Sequence, residues 1–331
     1  MPVSDLLQNA EARLLAAENN PMNNEASMMM KRHLLKRQVI KTLLPALGLL
    51  LGSVVTSAAV QAQSCPSDAI CRYEDTPGNY SDNGPYGYDS YTMPYFSTPG
   101  GATVYYPRTA QPPYSLLVFT PPYTGTQVWY RDWGPFFASH GIVMVTMDSR
   151  TIYDGVDSRA RQQQDVLDAM KGENTRWGSP LRGKLDTSRF GATGWSMGGG
   201  ATWITSAEYA GLKTAMSFAG HNLTAVDSDS SGRNTRIPTI LFNGALDTTY
   251  LGGLGQSDGV YRNIPWGVPK LFYEASNAGH FVWGGPEDAN RYVGELALAF
   301  QKTYLDGDTR WAQFLGRPPF YVATFEKANI P

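Results

Sequence analysis

Seven short runs of apolar and β-branched residues, at 103–106, 115–119, 142–147, 190–195, 215–219, 239–242 and 271–273, are each bounded by turn-forming residues and read as strands. Segments of helical length, at 129–140, 158–170, 197–209 and 287–304, lie between or after them. Strands apolar on both faces and separated by helices predict an α/β fold, a mostly parallel central sheet flanked by helices on both faces. No internal repeat or low-complexity linker divides residues 96–331, so one domain is expected there. Residues 63–95 are expected to form an irregular arm, because 73–95 is rich in Gly, Pro, Asp, Asn and Tyr. In open sheets of this kind, reactive groups gather on loops at the carboxyl ends of the strands.

The first 62 residues have another character. Lys31, Arg32, Lys36, Arg37 and Lys41 precede an uncharged apolar run from 42 to 60, the pattern of a secretory leader. The run ends in Val60-Gln61-Ala62, so residues 28–62 are expected to be a signal peptide cleaved after Ala62. The alternative is an uncleaved span, since the run is almost long enough to cross a bilayer. Pro45, Gly48, Gly52 and the A-x-A-like end favour cleavage, which leaves no stable membrane anchor. Residues 1–27 form an N-terminal extension without this pattern, and Met28, Met29 and Met30 directly before the basic run read as a later start point.

Of 331 residues, 42% are hydrophobic and only 17% charged, the balance of a packed globular chain. Removing residues 1–62 takes six of the 27 basic and four of the 29 acidic side chains, leaving a formal charge of about −4. No basic stripe remains for a nucleic-acid partner. Cys65 and Cys71 follow the cleavage site closely, and in an oxidising compartment they could close a small ring. No His or further Cys accompanies them at ligand spacing, so no metal is expected. The protein is expected to be secreted, extracellular or periplasmic, and to act as a monomer.

The candidate chemistry is nucleophilic. Gly194-Trp195-Ser196-Met197-Gly198 places G-x-S-x-G between a predicted strand and a predicted helix, the setting of a nucleophile elbow in the α/β-hydrolase fold. The competing reading makes Ser196 an N-cap on a Gly-rich turn. A serine hydroxyl needs a base, and this fold orders its triad Ser, acid, His. Of the four histidines, only His221 and His280 follow Ser196, and His221 leaves little room for an acid-bearing strand between them. His280, in a loop after a predicted strand, is therefore the expected base; His140 reads as a packed residue at a helix end. Asp247 directly follows the strand 239–242 and is the expected acid. Asp227 and Asp229 fall in a polar stretch read as a solvated loop, and Glu274 sits only six positions before His280. An oxyanion hole would take one amide from Met197, after the nucleophile, and one from Tyr123, in the loop after the strand 115–119. The Tyr123 ring could lie against an aromatic or acyl group, or anchor a proline turn.

Several separated motifs resemble the bacterial cutinases and polyethylene-terephthalate hydrolases. These are Ala102-Thr103-Val104-Tyr105-Tyr106-Pro107, Pro122-Tyr123-Thr124, Trp133-Gly134-Pro135 with Ala138-Ser139-His140-Gly141, and Ser158-Arg159 with Gln162-Gln163. The elbow Gly194 to Gly200 and Leu305-Asp306-Gly307-Asp308-Thr309-Arg310-Trp311 complete the set, in the family's order. The resemblance implies cofactor-free hydrolysis of esters in polyesters, cutin-like material, triglycerides and short acyl esters. By position it also implies that Tyr123 and Met197 form the oxyanion hole and that Trp195 lines the cleft. Departures accompany it. Relatives acting on aromatic polyester carry a mobile tryptophan after the strand ending at Ala219, where this chain has Gly220-His221-Asn222, so His221 takes that substrate-facing place. The acid and base loops lack the cysteines that tie them in many relatives, and Trp283 is either an aromatic wall or a packed residue.

The scaffold also admits a lipase, a dienelactone-type hydrolase or a peptidase, because fold and triad do not set the leaving group. A secreted binding protein without turnover is the reading from another class. The chemically intact Ser196, Asp247 and His280 argue for the enzyme.

Overall fold

The computed structural model describes residues 65–76, 83–93, 98, 100–222, 225–248, 255–317 and 320–330. The leader at 28–62 and its cleavage point lie outside them. The central strands β3 (Tyr114–Thr120), β4 (Val143–Met147), β6 (Thr214–Phe218), β7 (Thr239–Gly244) and β8 (Lys270–Ala275) are buried along their whole length. Strands buried on both faces need apolar residues at every position, which is why they are unbroken runs in the sequence. β5 (Leu185–Trp195) is exposed only near its start.

With β1 (Tyr88–Thr92), β2 (Ala102–Pro107) and β9 (Val322–Ala328), they form one sheet in the order β1-β2-β4-β3-β5-β6-β7-β8-β9. The five pairings from β4 through β8 are parallel; β1 with β2, β2 with β4 and β8 with β9 are antiparallel. Six α-helices complete the described residues: α1 (Trp133–Ser139), α2 (Val156–Glu173), α3 (Met197–Glu208), α4 (Ala225–Asn234), α5 (Gly255–Asn263) and α6 (Arg291–Tyr304). Alternate side chains of each strand serve opposite layers. Leu117 and Phe119 of β3 pack with residues of α1 and α6, whereas Leu116 and Val118 pack with Val166, Leu167 and Met170 of α2. The α/β-hydrolase arrangement read from the strand and helix pattern is the one the chain adopts.

Several local readings are corrected. The segment read as an irregular arm carries β1, which pairs with β2 over five residues. Its sequence Tyr88-Asp89-Ser90-Tyr91-Thr92 sets two tyrosines three positions apart among polar residues on a partly exposed edge strand, so neither an apolar run nor a period of two marked it. The stretch around Asp227 and Asp229, read as a loop, is helix α4, and α5 and β9 were not foreseen. These elements are rich in polar residues and owe their order to tertiary docking, as where Val260 and Tyr261 of α5 join a buried cluster with Leu241 and Phe272. The helix expected over 129–140 is a 3₁₀ turn, Gln127–Trp129, followed by the shorter α1. The helix expected from 287 begins at Arg291, where the Asn290 side chain accepts from the Tyr292 amide at 3.1 Å.

Cys65 and Cys71 are joined in a disulfide. The short segment they close is fastened to the end of α6 and the turn after it. Ile70 N donates to Asp306 O at 2.8 Å, and Arg310 Nη2 donates to Arg72 O at 3.0 Å. Asp75 pairs with Lys302 Nζ at 2.7 Å and with His140 Nδ1 at 2.9 Å, all three buried. His140 is thus a structural residue at the end of α1.

Candidate active site

Ser196 sits where β5 turns into α3, with φ +57° and ψ −120°. A residue with a Cβ is strained there, and the surrounding bonds hold it. Its amide donates to Phe218 O at 2.9 Å, and its carbonyl accepts from His221 N at 3.1 Å and Gly200 N at 3.0 Å. Two glycines make the elbow possible by close approach: a Cβ on Gly194 would collide with the Gly198 carbonyl, and one on Gly198 with the carbonyls of Thr120 and Pro121. The same contact seats the end of β3, and hence the Pro121-Pro122-Tyr123 loop, against the first turn of α3.

The sequence-predicted triad residues meet. The Ser196 hydroxyl lies 2.9 Å from His280 Nε2, and His280 Nδ1 lies 2.7 Å from Asp247 Oδ2, with all three side chains buried. A carboxylate at Nδ1 requires a proton there, which leaves Nε2 to accept from the Ser196 hydroxyl. Asp247 ends a turn after β7 in which its amide donates to Gly244 O at 3.0 Å. The acid and base loops are joined by backbone bonds: Leu246 N to Ala278 O at 2.9 Å and Ala245 N to Ala275 O at 3.0 Å. Trp195 Nε1 donates to His280 O at 2.9 Å and fixes the base loop from below. Glu274, the competing acid, instead accepts from Thr324 Oγ1 of β9 at 2.8 Å.

The other named residues divide. Met197 opens α3, so its amide has no carbonyl one turn back to bond. Tyr123 stands on the neighbouring loop with a half-exposed ring set edge-on to Tyr153, centroids 6.0 Å apart. The His221 ring lies 6.4 Å from that of His280. Burial holds the His221 imidazole below its ordinary range. Trp283 is packed, fully buried against Phe218 with its carbonyl accepting from Trp133 Nε1 at 2.9 Å. It is no cleft wall.

Two contributors escaped the sequence reading. Arg159 is fully buried and donates to Pro121 O at 3.1 Å, Ser149 Oγ at 2.6 Å, Ile152 O at 2.9 Å and Asp154 O at 2.9 Å. Thr124 N also donates to Ile152 O at 2.8 Å, so this guanidinium staples the Tyr123 loop to the loop after β4. Its only signal in the sequence was the Ser158-Arg159 pair. Trp129, on the 3₁₀ turn, lies with its ring 6.1 Å from that of Trp195. An aromatic inside a polar turn carries no signal by periodicity. Among the described residues no group of three or more His, Cys, Asp and Glu is arranged to hold a metal ion, and no helix is long and apolar enough to cross a membrane.

The chain matches the PET hydrolase-like family model over residues 77–329. It is 33% identical to "Cutinase 2" of Thermobifida cellulosilytica over 252 residues, which covers 76% of this chain and 88% of that one. It is 32% identical over 252 residues, 76% of this chain and 72% of the relative, to a "Cutinase" of Thermobifida fusca. It is also 32% identical to the "Bis(hydroxyethyl) terephthalate hydrolase" of Streptomyces coelicolor over 235 residues, 70% of this chain and 71% of that one. A family match across most of the chain, joined to a strained serine on a strand-to-helix elbow, places this protein in the PET hydrolase-like family of carboxylic-ester hydrolases.

Proposed function

We propose that this protein is a secreted serine esterase of cutinase and polyester hydrolase type, with Ser196 as nucleophile, His280 as base and Asp247 as the residue that orients it. The observation that carries the reading is the unbroken hydrogen-bonded chain from Ser196 Oγ through His280 to Asp247, at 2.9 and 2.7 Å. Ser196 Oγ attacks the ester carbonyl carbon while its proton passes to His280 Nε2. Negative charge on the carbonyl oxygen is met by the amides of Met197 and Tyr123. The tetrahedral intermediate collapses, the carbon–oxygen bond to the alcohol breaks, and His280 returns the proton to the departing alcohol. Water, deprotonated by the same imidazole, then attacks the acyl-enzyme and releases the acid and the serine. Asp247 holds the tautomer and stabilises the imidazolium at each proton transfer.

The half-exposed Tyr123 and Trp129 beside the elbow support an aromatic or long acyl group as the substrate's acid part. Cys65 and Cys71, joined just beyond the expected leader, support export, since such bonds persist in oxidising compartments. The test is twofold. Ser196→Ala should abolish release of soluble acid from polyester film and from short acyl esters while leaving the far-UV circular dichroism unchanged. A fluorophosphonate should label the wild type at Ser196. Near-normal turnover in the alanine variant, or no labelling of the wild type, would sink the assignment.

A further inference from the structure

Trp195, beside the nucleophile, is only 3% exposed and forms a floor rather than a wall. Two rings stand against it: Trp129, 46% exposed with centroids 6.1 Å apart, and Phe281, 69% exposed with centroids 6.2 Å apart. Among the described residues Trp129 and Phe281 each pair with Trp195 but not with one another. Two exposed rings, an indole and a phenyl, thus stand against the tryptophan that directly precedes Ser196.

The indole wall is held in place. Trp129 ends the 3₁₀ turn Gln127–Trp129, and Gln127 grips both oxygens of Asp148, through its amide N and its Nε2, at 2.7 Å each. Thr146 Oγ1 donates to Gln127 Oε1 at 3.1 Å, and Trp129 N donates to Thr126 O at 3.0 Å. The indole edge lies close over Gly125, where a Cβ would come within 3.3 Å of Cε3. The Trp129 carbonyl faces Gly284, four residues beyond His280. Trp129 thus stands between the loop that carries Tyr123 and the loop that carries His280.

The geometry points to Trp129 as a specificity-determining residue: its indole face takes the flat ring of an aromatic acyl group while the ester carbonyl sits at Ser196. This deepens the esterase reading and rests on it. A pre-positioned π face gains offset or edge contacts with an aromatic ring that it cannot make with a polymethylene chain. A flexible aliphatic diacid must also lose rotamer freedom to lie against that face, whereas a rigid aromatic diacid loses little.

The experiment compares two soluble diesters with the same alcohol, bis(2-hydroxyethyl) terephthalate and bis(2-hydroxyethyl) adipate, in the wild type, Trp129→Ala, Trp129→Leu and Trp129→Phe. The readout is the ratio of the two kcat/KM values, which does not depend on the fraction of molecules that are folded. The ratio should fall by about tenfold in the Ala and Leu variants, mainly through KM for the terephthalate, and stay within about twofold of wild type in the Phe variant. An unchanged ratio in Trp129→Ala and Trp129→Leu, or a ratio in Trp129→Phe as low as in Trp129→Leu, would overturn the role. A wild type inert toward both diesters would sink the esterase reading together with this inference. An active wild type with an unaltered ratio sinks the inference alone.

Discussion

At the scale of single residues, the candidate chemistry depends on which proton sits where. The Asp247 carboxylate at 2.7 Å from His280 Nδ1 selects the tautomer whose Nε2 can accept from Ser196. Asp247→Asn keeps the shape but offers an amide that favours the wrong tautomer, so kcat should drop by roughly 10³- to 10⁴-fold with KM little altered. Steady-state kinetics on a soluble ester would check this, and a loss below about tenfold would count against the role. Activity of the wild type should also decline toward acid, because a protonated imidazole cannot take the serine proton. Burial lowers the His221 imidazole, so it takes up a proton less readily than an ordinary histidine. The three triad types were legible in the sequence because each follows a strand in the order this fold allows. Trp129 was not, because nothing in a sequence says that a turn residue will face a tryptophan 66 positions away.

At the scale of elements, the elbow and the loop after β3 act as one unit. Gly198 admits the Thr120 carbonyl, and Arg159 of α2 draws the Pro121 carbonyl and the 149–154 loop together. Arg159→Met leaves several buried acceptors without a donor, so both stability and the placement of the Tyr123 amide should suffer. The expected outcome is a kcat lowered by about tenfold or more with a smaller change in KM, because an oxyanion donor acts on the transition state rather than on ground-state binding. Arg159→Lys should not restore it, since a single ammonium cannot span four acceptors on different segments. A lower melting temperature with unchanged kcat would reduce Arg159 to a structural residue. Buried strands were readable element by element, whereas β1, β9, α4 and α5 were not. Their polar, partly exposed sequences satisfy no period strongly, and only their neighbours stabilise them.

At the scale of the whole molecule, the segment 65–76, which carries the Cys65–Cys71 disulfide, is joined to the body through a buried ionic cluster. Lys302 Nζ lies 2.7 Å from Asp75 and 3.6 Å from Asp306, and Ser115 Oγ donates to Asp306 at 2.5 Å. Burial pushes the Asp75 carboxyl up, but Lys302 and His140 together outweigh it and hold it below its ordinary range. Burial wins at Asp306, farther from the ammonium, and raises it. Asp75 thus contributes stability that is present above the ordinary carboxylate range and is lost as pH falls through its lowered folded value. Asp306 acts in the opposite sense, most favourable when protonated. Lys302→Met removes the ammonium that faces two buried carboxylates and should cost about 3–5 kcal/mol near neutral pH. Protons relieve both carboxylates in that variant, so its deficit against wild type should narrow as the pH is lowered toward 4. Thermal unfolding of both proteins across that range would test it, and a constant deficit would contradict the assignment.

The sequence by itself determined the layered α/β architecture and the strand-to-helix elbow at Ser196, and it singled out His280 and Asp247 as the residues expected to meet that serine, because these rest on local patterns: unbroken apolar runs, small residues around a tight turn, and chain order. Only the tertiary structure decided that Trp283 is core and not wall, that Arg159 ties the Tyr123 loop to the loop after β4, that Trp129 stands against Trp195, and that residues 65–76 are anchored through Lys302. Each of these depends on contacts between residues tens to hundreds of positions apart, and such contacts follow from how the layers pack, which no local pattern encodes.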